Sequence, residues 1–106
     1  MKKEYLSEIN NVLICGDTIC RDICRNKVSS ALTGADDYYS RIAGLMELFS
    51  GNHILVENDV IRINNKLNLL YQSFLEKDYV SVMDYINNDI KDEIARLIEL
   101  LPDNLE

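Results

Sequence analysis

Hydrophobic residues recur along this chain at steps of three and four, with polar residues between them. The clearest run is Val56, Val60, Ile63, Leu67, Leu70 and Phe74, which winds one apolar seam along one face of a helix. Lys77-Asp78 interrupts it. The seam then resumes as Tyr79, Val82, Met83, Ile86, Ile90, Ile94, Leu97 and Leu101, until Pro102 closes it. This pattern predicts a helical hairpin over Val56 to Leu101. Asp78 is its predicted N-cap, accepting a hydrogen bond from the free amide of Val80 or Ser81 while its charge suits the positive helix end. So short a turn sets the two helices antiparallel, and their seams need further surfaces to cover them.

The first half of the chain supplies those surfaces. A helix from about Lys3 to Ser29 would place Tyr5, Ile9, Val12, Leu13, Gly16, Ile19, Cys20 and Ile23 in one stripe. Gly16 falls within that stripe, at a cost of about 1 kcal/mol in helix propensity relative to Ala. Close approach of a neighbouring helix is the favoured compensation, with a local kink as the alternative. Thr33-Gly34-Ala35-Asp36 has capping-box spacing, with Asp36 and Asp37 in the first turn, and predicts that a second helix starts near Gly34. Its core positions are Ala35, Tyr38, Tyr39, Ile42, Leu45, Met46 and Phe49. Ser50-Gly51-Asn52 offers a glycine for a left-handed C-terminal cap. His53 to Val56 forms the connection onward, and Asp103 to Glu106 a short tail.

Four amphipathic helices with short connections predict an all-α, antiparallel up-down-up-down four-helix bundle in a single domain, residues 1–106. A dimer that swaps a helical hairpin between two chains is the alternative. With 106 residues, 47% of them hydrophobic, the chain is long enough to bury a core. One Pro, four Gly and no Asn-Gly or Asp-Gly pair leave it without the punctuation of an all-β chain.

Charge narrows the partners. A formal net charge of -7 and scattered Lys and Arg argue against nucleic acid, which needs a clustered basic surface. The same charge disfavours an anionic membrane surface, and no apolar run approaches the roughly 20 residues that span a bilayer. The N-terminal segment lacks the continuous apolar region of a secretory leader, and three cysteines in one helix suit a reducing compartment, so the expected location is cytoplasmic. Abundant Ile and Asn are as in chains encoded by AT-rich bacterial or phage genomes.

Chemistry-bearing residues are dispersed. Cys15, Cys20 and Cys24 with His53 would make a Cys3His zinc set, but Cys15 and Cys24 lie on opposite sides of the first helix and Cys20 belongs to its core stripe. Packing is the plainer role for all three, with Cys15 expected to be the most exposed and oxidisable. His53 sits in a loop with no nucleophile or carboxylate signature beside it. Helical bundles house di-iron centres, but these use Glu-x-x-His pairs, and the chain has none. Glu93, with Asp89 beside it, is the most nearly core-facing acid, and its plainer role is a rim carboxylate reaching water or a basic residue. There is no Gly-rich phosphate loop, nucleophile elbow or Cys-x-x-Cys pair. No cofactor or metal is expected, nor is catalysis.

Tyr5, Tyr38, Tyr39, Tyr71, Tyr79 and Tyr85 mostly flank a seam, as suits side chains that cover a core and show their hydroxyls to water. Tyr85 falls off its seam, as do Ile14, Leu48, Ile61 and Leu69. Together they indicate a binding surface or homodimer interface, with Ile61, Leu69 and Tyr85 as candidate protein-binding residues.

The stretch Glu76-Lys77-Asp78-Tyr79-Val80, with Asp84 and Asp89-Ile90, resembles a hairpin in small uncharacterised helical-bundle proteins of Gram-positive bacteria. It covers about a quarter of the chain. Size, acidity and helical pattern also look like flagellar export chaperones of the FliT and FlgN type. That likeness bears on fold; strong seams, off-seam apolar residues and the lack of catalytic motifs together lead to the expected function, a non-enzymatic, adaptor- or chaperone-like module that binds a partner helix or itself through a helical surface. The alternative is an acidic phage or defence-type inhibitor that occupies a basic site on a nucleic-acid enzyme.

Overall fold

A computed structural model describes residues 2–101. It is all-α: helices α1 (Lys2–Cys24), α2 (Val28–Gly51) and α3 (Glu57–Leu75) are followed by one continuous fourth rod in three parts, α4 (Tyr79–Asp84), a π-helical segment (Tyr85–Ile90) and α5 (Lys91–Leu100). The rods pack as a bundle measuring 44 × 25 × 19 Å. The expected stop at Pro102 and the tail Asp103 to Glu106 lie outside the described residues. Leu101, at φ -68° and ψ 125°, already has the extended backbone favoured before a proline.

The first turn comes earlier than the capping-box spacing predicts. Helix α1 ends at Cys24 and α2 begins at Val28, so Thr33 and Gly34 lie within α2 and the hydroxyl of Thr33 donates back to the Ser29 carbonyl. Asn26 makes the turn by adopting φ 59°, which lets the Lys27 amide reach the Asp22 carbonyl at 2.7 Å. The same device closes the next two helices. His53 and Lys77 also sit at φ 59°, with Ile54 N–H on the Phe49 carbonyl and Asp78 N–H on the Ser73 carbonyl, both at 2.9 Å. This is the Schellman pattern, and no glycine occupies its left-handed position. Gly51, expected there, is the last helical residue of α2.

After the third turn Asp78 caps α4 as predicted, its Oδ1 accepting from the Ser81 amide at 3.2 Å and its Oδ2 from the Ser81 hydroxyl at 2.7 Å. Val56 is a correction. As the extended N-cap of α3 it points to water, and Leu55 enters the core instead.

The core contains Tyr5, Ile9, Val12 and Ile19 from α1, Tyr38, Ile42, Leu45 and Phe49 from α2, and Ile63 and Leu70 from α3. Val82, Ile86, Ile90, Ile94 and Leu97 line the fourth rod. Gly16 marks a close approach, as its place in the stripe predicts. A Cβ there would lie 3.0 Å from Ile86 Cγ2 and 3.1 Å from Tyr38 Cε1. Gly34 plays the same part on α2, where a Cβ would meet Ile19 Cγ1 at 3.1 Å. These two glycines let α1 and α2 come together closely and press α1 on the π segment.

The π segment answers a conflict in the sequence. Val82, Ile86, Ile90 and Ile94 recur every four residues, and in a regular α-helix each such step overshoots the seam by about 40°. The wider i→i+5 turn absorbs that drift and keeps all four in the core. It also brings Tyr85, expected off the seam, back against the core, where it is half-buried. Tyr5 departs from expectation too. It is wholly buried edge-on to Phe49, and among the described residues its hydroxyl has no hydrogen-bond partner.

Candidate functional site

Helices α2 and α3 stand further apart than α1 and α2, which pack closely along their length. Tall tyrosines stand between them. Tyr39 of α2 and Tyr71 of α3 meet edge to face with ring centroids 6.4 Å apart, and the Tyr39 hydroxyl reaches the Leu67 carbonyl at 3.5 Å. Two hollows adjoin this pair. One, of about 530 Å³, is lined by Tyr39, Asn64, Leu67, Asn68 and Tyr71. The other, of about 220 Å³, is lined by Leu32, Ala35, Asp36, Tyr39, Tyr71, Phe74 and Leu75. Because both share Tyr39 and Tyr71, they form one groove that follows α3 from Asn64 to Leu75, about 16 Å at the α-helical rise.

The groove is apolar along its floor and polar at its edges. Leu32 and Leu75 are exposed, Leu75 at 60%, and Tyr71 shows 54% of its surface. Asp36, Asn64 and Asn68 edge it. Burial raises the titration of the Tyr39 phenol, and the neighbouring Tyr71 adds to this, so its hydroxyl stays protonated as a donor.

The candidate binding residues do not share this groove. Ile61 and Leu69 are each 51% exposed on α3. They are eight residues apart, about 12 Å along the helix and about 80° around it, and both lie on the face of α3 turned away from the core. Tyr85 lies on the π segment, packed against the core. Pattern reading missed Leu32, Tyr71 and Leu75 as a group because each sits at the margin of a seam. Only the α2–α3 spacing brings them together.

Glu93 is more deeply placed than a rim carboxylate. It is 2% exposed and receives Arg62 Nε on both oxygens at 3.0 Å, Arg62 Nη2 at 2.9 Å and Lys66 Nζ at 2.6 Å. Asp59 holds the other end of Arg62 at 3.0 Å, and Arg96 lies 3.9 Å from Glu93. Burial pushes the Glu93 carboxyl up, but the hydrogen bonds from Arg62 and Lys66 outweigh it and leave it below the usual glutamate value. A carboxylate saturated by cations in this way ties α3 to α5 and has little basicity left to accept a proton. His53 sits exposed in the α2–α3 turn and is not among its partners.

The thiols also differ from expectation. Cys15 is half-buried, its Sγ 3.6 Å from both the Gly34 carbonyl and Asp37 Oδ2, because the early start of α2 lays that segment over it. Burial, followed by the negative charge of Asp37, raises its titration. Cys24 is the exposed thiol. No group of three His, Cys, Asp or Glu among the described residues is placed to share a metal ion, and no helix among them is long and apolar enough to cross a membrane. Neither the family models, nor the curated proteins, nor the solved structures include a match to this chain.

Proposed function

We propose that this chain is a non-enzymatic cytoplasmic protein-interaction module, adaptor- or chaperone-like, that receives an amphipathic helix of a partner protein between α2 and α3. The supporting observation is the groove bridged by Tyr39 and Tyr71. It is about three helical turns long, and exposed leucines at its end add apolar surface without filling it. Tyrosines and leucines around a hollow give an entering helix large apolar contacts, while Asn64, Asn68 and Asp36 are placed to bond its polar flank. The net charge of -7, with Asp36 at the edge, favours a partner whose apolar stripe is bordered by Lys or Arg.

The test compares Leu32→Lys/Tyr71→Lys with Val80→Lys, which alters an exposed valine outside the groove. Helicity by circular dichroism, mass in solution and the proteins co-purified from the native host are read for each. Loss of one defined partner from the double variant alone, with helicity kept, supports the reading. Retention of that partner contradicts it, as does loss of a dimer with no other protein bound.

A further inference from the structure

Helix α1 faces the fourth rod through a ladder of three rungs: Asp17 with Lys91 at 3.4 Å, Cys20 Sγ with Asn87 Oδ1 at 3.8 Å, and Cys24 Sγ with Met83 Sδ at 3.7 Å. Cys20 and Cys24 lie one helical turn apart on the same flank of α1, so their Cβ atoms are about 5–6 Å apart. Met83 comes from a position 59 residues distant in the chain, which is why the thiol pattern alone does not disclose the arrangement. Three sulfurs, two thiol and one thioether, thus lie along one side of the bundle, those of Cys24 and Met83 already in contact.

We propose that Cys20, Cys24 and Met83 form a binding site for a soft monovalent cation of the Cu(I) or Ag(I) class. The 3.7 Å between Cys24 Sγ and Met83 Sδ suits two sulfurs that share one ion at about 2.3 Å each. Loading requires the Cys20 thiol to leave Asn87 and turn toward the same point, a change between staggered χ1 rotamers. Thiolate and thioether ligands together select soft ions, whereas zinc favours four ligands drawn from thiolate, imidazole and carboxylate. Access is open. Cys24 is exposed, and an open hollow of about 390 Å³ lined by Val80, Ser81, Met83, Asp84, Asn87 and Asn88 adjoins the thioether. Loading is ligand exchange without redox: the cation enters, both thiols release their protons to solvent, and two S–metal bonds form beside the thioether bond. Burial and then the negative charge of Asp17 raise the titration of the Cys20 thiol.

The experiment is an anaerobic Cu(I) titration of the reduced full chain against a chromophoric Cu(I) chelator, with X-ray absorption to read the ligand atoms. The expected result is one Cu(I) per chain, bound by three sulfurs. Cys20→Ser and Cys24→Ser abolish tight binding, Met83→Leu weakens it about tenfold or more, and Cys15→Ser leaves it unchanged. Circular dichroism establishes that each variant is folded. Failure of the wild-type chain to compete with the chelator overturns the proposal. So does nitrogen or oxygen ligation, equal loss in Cys15→Ser, or unchanged affinity in folded Met83→Leu.

Discussion

Tyr39 and Tyr71 face each other across the gap between α2 and α3 with ring planes at 72°, and theirs is the aromatic contact that spans the groove. Tyr39 is half-buried and tied to the Leu67 carbonyl, whereas Tyr71 is mostly exposed. The two therefore separate stability from binding. Tyr39→Ala should cost about 2–4 kcal/mol in urea unfolding, and Tyr71→Ala about 0.5–1.5 kcal/mol, near the worth of the aromatic pair alone. Partner binding should fall sharply in Tyr71→Ala even though the bundle stays folded.

Glu93 predicts the behaviour in acid. A carboxylate whose folded value lies below its unfolded one adds stability that is present above the ordinary value of 4.5 and is lost as the pH falls through the folded value. Glu93→Gln removes that contribution. Because Arg62 and Lys66 keep 37% and 25% of their side-chain surface in water, the loss near pH 7 should be about 1–3 kcal/mol, below the roughly 3–5 kcal/mol of a wholly buried pair. Asp37 and Asp78, held low chiefly by hydrogen bonds from Arg41 and from Ser81, have the same sign in both proteins. Urea midpoints at pH 7 and pH 3 should converge between wild type and Glu93→Gln only at the lower pH.

One substitution at two glycines should have opposite effects. At Gly16 the new methyl meets Ile86 and Tyr38, both buried and unable to yield, so Gly16→Ala should lose about 1–2 kcal/mol despite its better helix propensity. At Gly44, within α2, nothing lies within 4 Å of the added atom, and Gly44→Ala should gain about 0.5–1 kcal/mol. Thermal melts of the two variants check the pair.

The left-handed caps make a fourth stability prediction. Lys77 holds φ 59° with a full side chain, so Lys77→Gly should gain about 0.5–1 kcal/mol in urea unfolding. Asn26→Gly should gain less, since asparagine tolerates that conformation better.

Much of the fold is legible in the order of residues, for reasons these positions illustrate. The seams, the Asp78 cap and the tight contact at Gly16 are local consequences of helical period and side-chain size. The first turn was not legible, because Asn26 adopts a conformation usually given to glycine, while Gly34 serves packing. The π segment hides behind a four-residue repeat that reads as an ordinary seam. Glu93 stands out as the most nearly core-facing acid, but its partners, like the thiol beside Met83, are not legible for a different reason: they are supplied from 27 to 31 and from 59 residues away. The groove is likewise a property of two helices standing apart, which no single periodicity encodes.

The groove is tested most directly by placing a photo-crosslinking amino acid at position 71 in the native host, with position 80 as the exposed control, and mapping the adducts by mass spectrometry. The account predicts adducts from position 71 to one amphipathic helical segment of another protein, with basic residues beside its apolar stripe, and none to that segment from position 80. Adducts confined to a second copy of this chain, or the same adducts from both positions, would contradict it.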